Sequence, residues 1–285
     1  MFQNRRVSRG SLSPGPVVIA RRVRLQAGGV MVVLAALATS GSLVLAQAGG
    51  APTPWLAAMV TLGLCLSAGG AVMTGLIGGH YPHARLGLCN VLTLTRGAGT
   101  AVLAGLLVVP EALTGPAALG WVLVVLAGSV LVLDAADGWA ARRSGLKSRF
   151  GARMDVEADV AFAIVLAALA WQSGKVGVWF LALGGLRPAF LLAALVWPRL
   201  GAPLPDAMWR KTVAAVQMTV QVVLVAPVVV PPVSTALGAA LLAGVVMSFA
   251  VDIRRLLVRA PDASAGTQAL PYAAGHERGL SGRWQ

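Results

Sequence analysis

The sequence predicts an all-α integral membrane protein of about eight transmembrane helices, each built on the ~20 apolar residues that span a bilayer. Three observations carry that reading. Only 12% of the 285 residues are charged and 57% are hydrophobic, where an ordinary soluble domain carries about 25% charge. Apolar runs recur along the whole length and give a mean hydropathy of +0.79. The basic residues collect in the segments between alternate runs. So little charge cannot cover a water-facing surface, so one membrane domain is expected, with no soluble domain of useful size.

Residues 1–25 hold six arginines and no acid and read as a disordered basic tail. Its last part, Val17 to Gln26, reads as a short helix able to lie on the membrane surface. Apolar runs follow at 27–47, 54–79, 91–109, 117–140, 156–172, 176–197, 211–228 and 233–251. Breakers separate several of them: 49–52 (Gly-Gly-Ala-Pro), Tyr81-Pro82, Gly115-Pro116, Gly201 to Pro205 and Pro231-Pro232. With the N-terminus inside and the runs alternating, twenty of the 23 Lys and Arg fall inside and only Lys175 falls outside. Arg96 and Arg187 lie within spans. The positive-inside rule then places both termini in the cytoplasm of a multi-pass cell-membrane protein.

The net charge of +13 therefore reads as topology and attraction to anionic lipids. No nucleic-acid partner is expected, because stacking aromatics and a basic stripe on a soluble face are both missing. Cys65 and Cys89 lie in or beside apolar runs without CxxC spacing and read as packed small residues. His80 and His83 flank Tyr81-Pro82; they lack a third metal ligand and read as loop residues.

Of ten acidic residues, five lie between 134 and 159: Asp134, Asp137, Asp155, Glu157 and Asp159. Acids at membrane depth are expensive and point to function. Asp134, Asp137 and Ala141 are spaced i, i+3 and i+7 and share one helix face; Asp155 and Asp159, at i and i+4, share a face of the next helix. A short basic connection containing Gly145 makes the two helices antiparallel, so both acid pairs reach the same membrane boundary. Carboxylates this close repel unless cations sit among them. Oxygen-only ligands suit Mg²⁺ or Mn²⁺ rather than zinc, and two such ions are a known arrangement for phosphoryl transfer. Gly138, Ala141 and Gly151 leave room for a ligand or a neighbouring helix, and Arg142 is placed to neutralise a phosphate.

The run Asp134-Ala-Ala-Asp137-Gly138-Trp-Ala-Ala141-Arg142, eight residues, then Gly151-Ala-Arg-Met-Asp155-Val-Glu-Ala-Asp159 resembles the CDP-alcohol phosphotransferase motif. That motif is D-x-x-D-G-x-x-A-R, seven to nine residues, G-x-x-x-D-x-x-x-D, and all eight specified positions match. Upstream, Asn90-Val-Leu92-Thr93-Leu-Thr-Arg96 is similar to the N-x-L-T-x-x-R opening of the family's first core helix. The resemblance implies four parts: a basic cytoplasmic tail at 1–25, two additional spans at 26–84, a six-helix catalytic domain at 85–252, and a polar cytoplasmic tail at 253–285.

The resemblance also implies roles. Asp134, Asp137, Asp155 and Asp159 would hold a pair of Mg²⁺ or Mn²⁺ ions on the CDP pyrophosphate. Asp159 would take the acceptor's proton as general base. Asn90, Thr93, Gly138, Ala141, Arg142 and Gly151 would form the nucleotide pocket. The donor would be CDP-diacylglycerol or another CDP-alcohol, and the acceptor a small polar alcohol, with CMP released. A homodimer is also implied. Arg187, Arg210 and Lys211 are candidates for binding the acceptor, with Arg199 beside them; Arg187 could instead pair with a motif carboxylate. Glu157 points off the Asp155–Asp159 face, toward solvent or a basic partner. A cation transporter using the Asp cluster is the competing reading, but it predicts repeated halves and midplane acids, and the chain has one cluster, at the boundary.

Overall fold

The computed structural model describes residues 16–78, 83, 85–144, 148–197, 200 and 208–258, and the side chains of these except at 16–20, 138–144, 149 and 258. Eight α-helices run through the described residues: α1 (Pro16–Ala48), α2 (Pro54–Ile77), α3 (Leu88–Leu106), α4 (Ala117–Ser144), α5 (Arg149–Gln172), α6 (Ala182–Val196), α7 (Met208–Val225) and α8 (Val233–Val258). Short 3₁₀ turns at Pro110–Leu113 and Val178–Leu181 precede α4 and α6. No strand occurs among the described residues. Gly145, His80, Arg199 and residues 1–15 lie outside them.

Five segments are long and apolar enough to cross a membrane: Arg21–Ala48, Pro54–Ile77, Ala117–Asp137, Val178–Val196 and Val233–Leu257. Their outward faces carry large apolar side chains. Val32, Leu37, Val125, Val132, Leu192 and Met247 are 63–70% exposed, a surface that suits lipid rather than water. The chain is a multi-pass membrane protein. Eight helices stand where eight spans are expected, and five of them are long and apolar enough to count as spans. The other three, α3, α5 and α7, carry polar residues: Asn90, Thr93 and Arg96; Asp155, Glu157 and Asp159; Arg210, Lys211, Gln217 and Gln221.

The start of α1 corrects the sequence reading. Val17 to Gln26 is not a separate surface helix; it continues into α1, which opens on Pro16, a residue suited to a first helical turn. At about 1.5 Å per residue the helix outreaches the ~30 Å hydrocarbon core. Its early turns are held by packing, since Val23 and Ala27 are buried against Val72 and Leu76 of α2. At the other terminus α8 runs on to Val258, past the expected end at 252.

Successive helices alternate in direction, so the bundle has two ends. At the far end, glycines close α1 and α5. Gly50 (φ +76°) and Gly174 (φ +69°) adopt the left-handed conformation. The amides of the next residues, Ala51 and Lys175, reach back to the carbonyls of Ala46 and Ala170 at 3.0 and 3.2 Å, as in a Schellman cap. Lys175 then turns inward. Its ammonium donates to the carbonyls of Val225 (2.8 Å) and Ala226 at the end of α7, and its own carbonyl accepts from Ser234 Oγ at 2.6 Å. One buried lysine thus ties the ends of α5 and α7 to the start of α8.

Helix α5 sits at the centre. Phe162, Leu166 and Leu169 pack with residues of α3, α4 and α7, while Ala167 and Ala170 pack with Phe180, Leu183, Leu224 and Leu241. Gly184 lets α6 meet Ile164 of α5 closely. The first two helices are integral to this bundle. Thr61 of α2 donates to the carbonyl of Ala101 on α3 at 3.2 Å, and a Cβ at Gly105 of α3 would collide with Thr61, Ala57 and Ser42.

Candidate active site

Helices α3, α4 and α5 bring the polar residues together at the end of the bundle where α3 and α5 begin. Ser148 caps α5 by accepting from the amide of Gly151 at 2.9 Å, as an N-cap serine does. This fixes the first turn so that Gly151, Asp155 and Asp159 follow on one stripe of the helix. On α3, Asn90, Thr93 and Arg96 recur every three residues and are all buried.

Asp134 of α4 and Asp155 and Asp159 of α5 converge, each offering an oxygen within 4.8 Å of the others. Their charge is met by Arg96. Its Nη1 lies 2.8 Å from Asp134 Oδ1 and 2.6 Å from Asp155 Oδ1, and its Nη2 donates to Asp159 Oδ1. The guanidinium is 3% exposed and reaches three carboxylates at once, which its planar fork allows. Its Nε has no hydrogen-bond partner among the described residues. Asp137 turns elsewhere: the hydroxyl of Thr93 lies 2.5 Å from Asp137 Oδ2 and 3.0 Å from the carbonyl of Cys89. A hydroxyl has one proton to give, and the shorter contact is the one to the carboxylate. Three of the four motif carboxylates therefore share one point, and the fourth is held one helical turn away.

The helices approach closely here. A Cβ on Gly151 would come within 2.8 Å of Asn90 Oδ1 and 3.2 Å of Ser148 Oγ, so the glycine lets the start of α3 lie against α5. Gly99 likewise admits Val130 of α4. The three carboxylates form an oxygen-only set suited to a hard divalent cation such as Mg²⁺ or Mn²⁺. The point where such a cation would bind is the point to which the Arg96 guanidinium is hydrogen-bonded.

A family profile described as CDP-alcohol phosphatidyltransferase matches residues 86–251. The chain belongs to the CDP-alcohol phosphatidyltransferase family. No curated protein and no solved structure matches the chain. Membership makes the chain a transferase that moves a phosphatidyl group from a CDP-alcohol, and the convergent acids lie inside the matched segment.

Other residues singled out in this phosphatidyltransferase are dispersed. Gly138, Ala141 and Arg142 continue α4 past Asp137; their side chains lie outside the described ones. Arg187 is exposed on α6 and pairs with no carboxylate among the described residues. Arg210, on the first turn of α7, lies 3.8 Å from Asp252 of α8. The neighbouring Lys211 lines an open groove of about 480 Å³ along α7 with Thr212, Ala215, Val216, Thr219 and Val220. No motif carboxylate lines that groove. Glu157 is exposed and pairs with Arg153 at 3.0 Å. Cys65 and Cys89 are free thiols. The functional residue missing from the sequence-derived site is Arg96. Its signal was available: an arginine inside a span, closing the N-x-L-T-x-x-R run.

Proposed function

We propose that the enzyme transfers a phosphatidyl group from CDP-diacylglycerol to a small polar alcohol and releases CMP. The observation that carries the proposal is the meeting of Asp134, Asp155 and Asp159 around one point, with Arg96 as their built-in counter-charge. Asp134, Asp155 and Asp159 would hold the divalent ions, and Asp137, hydrogen-bonded to Thr93, would complete the set. Bound there, two such ions supply positive charge to the pyrophosphate and to the departing CMP.

The chain's own groups do the rest. Asn90, Thr93, Gly138, Ala141, Arg142 and Gly151 surround the nucleotide, the small residues leaving space and Arg142 neutralising phosphate. Asp159 accepts the proton of the acceptor hydroxyl as its oxygen forms a bond to the β-phosphorus. The bond from that phosphorus to the bridging oxygen of CMP breaks in the same displacement. Arg187, Arg210 and Lys211 are the cations available to an acceptor that itself carries phosphate. The carboxylates stand about two to three turns in from the end of α4 and the start of α5, so the donor's acyl chains can stay among lipids while CDP reaches in from the water at that end. The positive-inside distribution puts that mouth, and both termini, in the cytoplasm.

The test is CMP release from labelled CDP-diacylglycerol by the purified enzyme with Mg²⁺ or Mn²⁺ and one acceptor at a time. One acceptor is expected to support release, and Asp159→Asn to lower the rate at least about 100-fold, the lower range for general-base catalysis. Release at the wild-type rate by Asp159→Asn would remove Asp159 from the role of base. Failure to bind CDP-diacylglycerol in the presence of metal would overturn the choice of donor.

A further inference from the structure

The first two helices lie outside the segment that matches the family, yet they touch the starts of α3 and α5. On α2, Gly75 forms a notch filled by the ring of Phe150; a Cβ there would collide with the ring, lying 2.8 Å from its Cζ. Phe150 stands between the capping Ser148 and Gly151. Together with Met154 it packs among Val23, Ala27, Met31, Val72, Met73 and Leu76 of the hairpin. Leu86 and Leu94 join the same cluster, and Gln26 Oε1 of α1 accepts from the amide of Leu86 at 3.2 Å, just before α3.

Helix geometry gives this packing a consequence. Phe150 and Met154 are spaced i and i+4 and form one stripe of α5. Gly151, Asp155 and Asp159 form the next stripe, one residue and about 100° round the helix. The pressure of the hairpin on the first stripe sets the rotation of the second. The carboxylates then meet Arg96 from α3, whose entry the hairpin also holds.

We infer that the α1–α2 hairpin is a positioning element of the active site, with Gly75 and Phe150 as its positioning residues. The inference rests on the proposed metal-binding role of the Asp cluster. Gly75→Leu fills the notch and turns α5. Phe150→Ala removes the ring. The double variant restores the volume.

The experiment uses the full chain in detergent. Mn²⁺ affinity is read by electron paramagnetic resonance, beside the melting temperature and the kinetics of CMP release. Gly75→Leu is expected to weaken Mn²⁺ binding and lower kcat by about tenfold, as loss of an outer support of a metal site does, with KM for the acceptor unchanged. Phe150→Ala shifts both in the same direction, by about threefold, and carries the test if Gly75→Leu does not fold. Gly75→Leu/Phe150→Ala recovers Mn²⁺ affinity to within about threefold of wild type, as compensating neighbours do. A lower melting temperature with wild-type Mn²⁺ affinity and kcat in the single variants would make the hairpin a scaffold only and overturn the inference. Absence of Mn²⁺ binding in the wild type would instead sink the metal reading, and this inference with it.

Discussion

At the scale of single residues, Arg96 changes what the motif means. Read as spacing, the four aspartates call for metal. In the folded chain, three of them already have a cation, and it belongs to the protein. Each keeps 31–41% of its side chain exposed. Loss of the arginine should therefore cost about 3 kcal/mol, the low end for a broken buried pair. Arg96→Gln is expected to lower the melting temperature in chelator and to regain most of the loss when Mn²⁺ is added, because the ion then supplies the missing charge. A melting temperature equal to wild type in chelator would mean that the carboxylates do not depend on Arg96. The sequence disclosed the aspartates because acids at membrane depth stand out in a local pattern. It did not disclose that Asp137 leaves the group for Thr93, since that choice depends on a hydroxyl from a different helix.

At the scale of elements, the helices were legible and their mutual grip was not. Apolar runs bounded by Gly and Pro located all eight, but α1 began eleven residues earlier than its run, at Pro16 rather than 27. Arginines in its first turns concealed that the helix expected at Val17 to Gln26 is one with α1, held by tertiary packing at Val23 and Ala27. Lys175 shows the same gap between pattern and packing. Counted along the chain it is the single outside cation; folded, it is buried and ties α5 to the end of α7. Burial pushes its pKa down from 10.5 to about 8. Between about pH 8 and 10.5 the unfolded chain then binds more protons than the folded one, so stability rises with pH across that window. Lys175→Met is expected to remove this rise. The check is the difference in melting temperature between the two proteins from pH 7.5 to 10.5; a difference that does not change with pH would contradict the burial argument.

At the scale of the whole molecule, the bundle has a chemical end and a stapled end, and α5 runs between them. By the positive-inside rule the charge count along the sequence predicts a cytoplasmic chemical end. In a chain whose Cys65 and Cys89 are replaced, a cysteine at the exposed far-end Thr114 should react with a membrane-impermeant maleimide in intact cells. One at the exposed Arg153, beside the motif, should react only after the membrane is opened. The reverse pattern would invert the topology. At this scale the sequence speaks through summed charge and not through any one contact, and the labelling pattern is what tests it. The arrangement also bears on synthesis. No acidic residue precedes Glu111, so α3 leaves the ribosome with Arg96 and without any of the anions it will bind. At about 5–20 residues per second the wait for α4 and α5 lasts seconds, long beside the microseconds of helix formation. During that interval the hairpin made earlier is on hand to pack against α3, and the arrival of each aspartate secures in the bilayer a helix too polar to be kept there by lipid alone.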